Sequence, residues 1–206
     1  MSIADWTALM VTASEYTGRD DWVHFYPMFL AFAEGRLNRD LRVRGMETEA
    51  TLTTDANGEA TLPTGYMEMR EVRDPNNTVI EAMALPAADE AYGVSAGTPR
   101  VYSIMGTTFM ARPIAAQDFA ITYYARITGL SASNTTNWLL TDAPMLYLAA
   151  LSQQIVGWAV ASGRESDASK LAGVNDLYAS ELAAYGRLDL TRRYSNMRVR
   201  LAGVTP

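Results

Sequence analysis

The sequence predicts an α+β fold: a mostly antiparallel α-helical bundle split by an inserted antiparallel β domain and followed by an extended C-terminal arm. Three observations predict it. Apolar residues recur at helical spacing up to residue 45 and again from 131, they alternate with a period of two in between, and residues 191–206 fit neither block. The expected organisation is therefore 1–45 and 131–190 as two parts of one bundle, 46–130 as the β lobe and 191–206 as the arm.

Ile3, Trp6, Leu9, Met10, Ala13 and Tyr16 share one face of a short N-terminal helix that Gly18 ends. Asp20 and Asp21 open a second segment. Pro27 belongs in the first turn of a longer helix, because further in its ring would clash with the preceding turn. The stripe of that helix is Phe29, Leu30, Phe32, Ala33, Leu37 and Leu41, and its expected stop is Gly45.

From Met46 the predicted strands are 47–53, 59–62, 66–73, 78–84, 99–105, 108–112 and 118–127, with one or two helical turns over 86–92. Asp55-Ala56-Asn57-Gly58 reads as a hairpin turn, since Asn-Gly readily takes positive φ. Such short connections imply a meander of antiparallel strands. Residues 128–136, rich in Ser, Thr, Gly and Asn, form a seam back to helix.

Trp138–Ala161 is the stretch the bundle is built around. Thr141 or Asp142 caps its start and Pro144 fits its first turn, while Met145, Leu146, Leu148, Leu151, Ile155, Trp158 and Val160 follow at helical spacing. Ser152, Gln153 and Gln154 interrupt the run, and its apolar part falls short of the ~20 residues of a membrane span. It reads as a buried central helix, with no membrane partner. Ser166 or Asp167 caps a last helix, striped by Leu171, Val174, Tyr178, Leu182 and Tyr185 and loosened from Gly186.

The arm carries Arg192, Arg193, Arg198 and Arg200 and no acid, on a chain whose net charge is −6. Met197, Val199 and Leu201 alternate with Arg198 and Arg200, which is a strand pattern with no partner strand nearby in sequence. It reads equally as a segment that docks on another protein, by adding a strand to a sheet edge, or as a frayed terminus.

Composition narrows the function. A hydrophobic content of 49% suits one core with an inserted lobe, and the acidic balance argues against a phosphate-gripping surface. That acidity fits either plain solubility or a passage through which DNA slides. There is no cysteine, hence no disulfide or thiolate metal site. MSIADWTALM lacks a basic targeting region, so synthesis and retention in cytoplasm, or in an assembly built there, is expected. His24 is the single histidine and Lys170 the single lysine, which leaves no triad, Walker loop or Schiff-base pocket in view. Asp55, Asn57 and Glu59 resemble a calcium loop only faintly, because Gly58 stands at the wrong offset. No catalytic, cofactor or metal residue is assigned. Trp6, Trp22, Tyr123, Tyr124, Trp138 and Trp158 are read as core or interface anchors.

Five phrases in order, YPMFLAFAEGRLNRDLRVRGMETEATLTT, LPTGYMEMREV, TPRVYSIMGTTFMARPI, ITYYARITGLS and WLLTDAPMLYLAAL, resemble the head-to-tail adaptor (connector) proteins of short-tailed and related bacteriophages, over Trp22 to Trp158. The resemblance implies a non-enzymatic virion component at the capsid vertex, made in the host cytoplasm. It implies a ring of twelve copies that binds the portal protein, extends the DNA channel without specific DNA binding and gives a tail or nozzle protein its docking surface, with a place in genome packaging and ejection. It also implies that Arg192, Arg193, Tyr194, Met197, Arg198, Val199, Arg200 and Leu201 reach the portal. Arg36, Asn38, Arg39 and Arg42, in and beside the NRDLR segment, are candidates for inter-subunit contacts or for a role within the bundle. Two alternatives stay open: a tail-associated cell-wall hydrolase working through paired carboxylates, and another virion or cytoplasmic binding module.

Overall fold

A computed structural model describes residues 3–194, with the side chain of Tyr194 left aside. Two compact units are present: a helical unit, up to Gly45 and again from Ile127, and a β unit, Met46–Arg126. The chain thus returns to the helical unit at Ile127, ahead of the seam at 128–136 that sequence had placed at the lobe's edge.

In the helical unit, α1 (Trp6–Thr17) is opened by Asp5, whose side chain accepts from Ala8 N at 2.8 Å, and closed by Gly18 at φ 65°. A 3₁₀ segment, Asp20–Phe25, leads into α2 (Tyr26–Asp40), with Pro27 in its first turn as expected. α2 stops at Asp40, short of Gly45. Leu41 is extended, Leu41 and Val43 are buried while Arg42 and Arg44 are exposed, and a 3₁₀ turn, Arg44–Met46, follows. Gly45 serves a different end: a Cβ there would lie 2.6 Å from the Trp138 ring. Phe32, assigned to the stripe, is exposed, as is Met145.

α4 (Trp138–Asp142) and α5 (Pro144–Ala161) divide the central stretch. The cap is Asn137, whose side chain accepts from Leu140 N at 2.9 Å, and Thr141 and Asp142 lie inside α4 instead of capping α5. Eleven of the 18 residues of α5 are buried, Ser152 and Gln153 among them, as befits a helix surrounded on most sides. Trp158 packs edge-on against Trp22 at 4.7 Å and lies 5.8 Å from Phe29. α6 (Ala168–Tyr194) begins where Asp167 accepts from Ser169 N at 2.9 Å. Val174, Tyr178, Tyr185 and Asp189 form its buried face, and it continues past Gly186 without a break. No described helix is long and apolar enough to cross a membrane.

The β unit comprises β1 (Glu47–Thr53), β2 (Glu59–Thr61), β3 (Tyr66–Arg73), β4 (Glu81–Ala82), α3 (Leu85–Tyr92), β5 (Val101–Met105), β6 (Thr108–Arg112) and β7 (Asp118–Ala125). The expected strands are present, except that 78–84 is reduced to Glu81–Ala82, but the pairing is no meander. One sheet has the order β1-β7-β3 and the other β2-β6-β5-β4, with β4 parallel to β5 and every other pair antiparallel. The turn at Asp55–Gly58 forms, with Gly58 at φ 72° and Asp55 accepting from Asn57 N and Glu59 N, yet the strands it joins belong to different sheets. Leu52, Val72, Phe119, Ile121 and Tyr123 of the first sheet share a core with Leu62, Ile80, Tyr102, Phe109 and Ala111 on and beside the second. Phe109 joins the two, 5.5 Å from Tyr102 and 5.3 Å from Phe119.

Candidate interaction surfaces

Two of the polar clusters in the helical unit tie the ends of its elements together. At the first, Glu34 of α2 accepts from Leu130 N at 2.7 Å and from the Tyr147 hydroxyl at 2.8 Å, both on Oε1. That hydroxyl accepts in turn from Asn137 Nδ2 at 3.0 Å, which also donates to Thr128 O at 2.7 Å. One turn along α2, Asn38 donates to Glu34 O and accepts from Ile127 N at 2.8 Å. The loop that brings the chain back into the bundle is therefore pinned to α2 and α5 by side chains from both. Burial raises the Glu34 carboxyl above its ordinary value, against the lowering effect of its two donors. Burial, and then the Glu34 charge, push the Tyr147 phenol up. Gly129 fits closely here, since a Cβ would stand 2.9 Å from Glu34 Oε2.

The second place holds the last turns of α6. Arg192 Nη1 donates to Asp142 Oδ2 at 2.9 Å, and the Tyr185 hydroxyl approaches the same oxygen at 3.4 Å. Arg193 Nε donates to Asp189 Oδ2 at 2.7 Å, while Asp189 Oδ1 accepts from Arg44 N at 3.0 Å and Arg44 Nη1 donates to Arg192 O at 2.9 Å. Asp189 is buried, and both its oxygens are satisfied. The Tyr185 phenol is pushed up to about 12, first by burial and then by Asp142.

These contacts correct the arm. Thr191–Tyr194 are helical, and Arg192 and Arg193 anchor the helix that sequence reading had ended before them. Met197, Arg198, Val199, Arg200 and Leu201 lie outside the described residues.

The inter-subunit candidates also sort themselves. Arg36 pairs with Asp40 at 3.3 Å and covers the Tyr178 ring at 4.7 Å, while the Tyr178 hydroxyl donates to Asp40 at 2.8 Å. Asn38 is buried, and Arg42 Nη1 donates to Asn38 O and Leu41 O. Arg39 is exposed. Tyr147, Tyr178 and Tyr185 thus each serve a carboxylate on a different element. A lone tyrosine in an apolar stripe gives no hint of that in sequence, and neither does Asp142 or Glu34.

An apolar groove of about 450 Å³ lies between α1 and the start of α2, lined by Trp6, Met10, Val11, Val23 and Pro27 with Glu15 at its side. Thr7 and Ser14 also stand in its wall. His24 is exposed against Phe25, with ring centroids 4.0 Å apart. Among the described residues no group of three His, Cys, Asp or Glu could hold a metal ion. Glu34, Asn38, Tyr147 and Asp189 use their polar atoms to join helices and loops.

A family model described as SU10 adaptor protein matches residues 4–201. No curated protein was found similar to the chain.

Proposed function

Because the chain belongs to the SU10 adaptor protein family, we propose that it works as a structural head-to-tail adaptor of a tailed bacteriophage virion, and not as an enzyme. Copies of it form a ring, twelve in number, that binds the portal protein, extends the DNA channel and offers the tail its docking surface. The observation that carries this is the extent of the family match, which runs across both units and into the arm. An adaptor's task is mechanical. It needs a bundle that keeps its shape, a second unit available for contacts, and different faces for its two neighbours in a ring.

The anchored end of α6 supports a division of labour within the arm. Arg192 and Arg193 hold the base of the arm to the bundle, which leaves Met197 to Leu201 to engage the portal. Arg39, exposed on α2, remains the inter-subunit candidate of its group. An overall charge of −6 suits a channel wall that DNA slides along without sticking.

The test is reconstitution on capsids that carry the portal. The full chain is expected to bind the vertex as a closed ring and to recruit tail protein, and a chain ending at Tyr194 is expected to fold but fail to attach. Equal attachment by the truncated chain refutes the arm's role, and the absence of any vertex binding refutes the adaptor reading.

A further inference from the structure

Two helices of the helical unit each turn a second face outward. On α2 the buried line is Tyr26, Phe29, Leu30, Ala33 and Leu37, and Met28, Phe32, Gly35 and Arg39 lie opposite it. A surface helix keeps such a face polar, yet Phe25, at the helix entrance, Met28 and Phe32 are 37, 41 and 55% exposed. Pro27 links this run to the groove beside α1, where Val11 and Val23 are exposed as well. A contiguous apolar patch of this kind marks a contact with another molecule. At its far end stands Arg39, exposed, and among the described residues no carboxylate pairs with it.

α6 carries a face that matches. Its buried line is Val174, Tyr178, Tyr185 and Asp189, and Asp176, Ser180, Ala183 and Leu190 lie opposite, all of them exposed. Asp176 likewise has no ion-pair partner among the described residues. The spacings agree. Laid antiparallel along α2 with Asp176 on Arg39, α6 brings Ala183 to Phe32 and Leu190 to Phe25, over about 21 Å of helix. A parallel alignment of the same stretches would set Arg187 against Arg39 and cover Asp176 with Met28, so charge selects the antiparallel one. α2 and α6 both pack on α5 through their buried sides, hence their outer faces cannot meet within one chain. A second copy supplies the partner.

We propose that the outer face of α2 docks on the outer face of α6 from a second copy of this chain, antiparallel, covering Phe25, Met28 and Phe32 and pairing Arg39 with Asp176 of that copy. Because the two faces differ, the contact can repeat from copy to copy, as a ring requires. The inference goes beyond the adaptor reading and is tested apart from it, with no capsid present. One helix laid on another buries less than the ~800 Å² per partner of a stable complex, so the assay must trap transient pairs.

The absence of cysteine makes that trap direct. Gly35→Cys in one preparation of the full chain and Ser180→Cys in another leave the apolar and charged residues in place, and the alignment sets the two positions face to face. Under mild oxidation at high protein concentration their mixture is expected to form disulfide-linked heterodimers at least about tenfold faster than Gly35→Cys mixed with Met145→Cys, an exposed position off the proposed face. Adding Arg39→Glu to the first chain should slow capture about fivefold, and adding Asp176→Arg to the second should restore it. Rates equal to the control, homodimers as the main product, or a charge reversal that changes nothing or is not restored would each overturn the proposal.

Discussion

Replacing Tyr147 by Phe removes one oxygen from a fully buried ring and creates almost no cavity, so its effect isolates the hydroxyl. That oxygen donates to Glu34 and accepts from Asn137, and both partners keep a second contact: Glu34 with Leu130 N, Asn137 with Thr128 O. A hydrogen bond to a charged group is worth about 1.5–3 kcal/mol, and with the second contacts retained the expected loss is about 2 kcal/mol. For a chain of this length that is roughly 4–8 °C in Tm. The loss depends on pH. Burial raises the folded-state pKa of Glu34, so its ionised form is destabilising, and the deficit is absent at pH below the ordinary carboxylate value and develops as pH rises through the raised one. Deleting a donor raises that pKa further, and the loss in the variant should therefore be greater at about pH 7.5 than at about pH 4. All four tryptophans, Trp6, Trp22, Trp138 and Trp158, belong to the helical unit, so their fluorescence during urea unfolding reports on this unit alone. A change under about 0.5 kcal/mol at neutral pH, or a greater loss in acid than at neutrality, would refute the assignment of Glu34 and Tyr147 as the pin of the loop.

Gly45→Ala should cost about 1–3 kcal/mol by forcing the Trp138 ring aside, with the change visible in the same fluorescence. Asp189→Ala removes the acceptor of Arg44 N and the carboxylate that pairs with Arg193. Amide exchange over the last turns of α6 should accelerate while that of α5 is unchanged, at a cost of about 1–3 kcal/mol. Phe109→Ala removes the ring that joins the two sheets and should destabilise the β unit by about 3–5 kcal/mol, measured by amide exchange of β5, β6 and β7.

The secondary structure was largely legible because its causes are local. Gly18, Pro27 and Pro144 act within a turn of their own positions, and alternation over 47–53, 66–73 and 118–125 is visible residue by residue. The main misreading on α2 had a signal: Leu41, Arg42, Val43 and Arg44 already alternate, but Gly45 drew the helix past them. The arm was misread for a different reason. Within its own window Arg192 and Arg193 have no acid in view apart from what precedes it, and their partners are Asp142, from another helix, and Asp189.

Strand order was decided only in three dimensions. The turn at Asn57-Gly58 dictates a reversal of the chain but not which strand lies alongside. Burying Leu52 beneath β7 and Leu62 beside β6 sends the two arms of that turn to different sheets. The polar pins were likewise invisible, because a carboxylate and a phenol separated by more than a hundred residues share nothing in sequence. Local sterics and periodicity thus set which residues are helix or strand, together with the family the chain belongs to, from its sequence alone. Which strands share a sheet, that Arg192 meets Asp142 and which carboxylate is buried depended on the packing of distant elements, since burial and long-range hydrogen bonding exist only once the chain has folded.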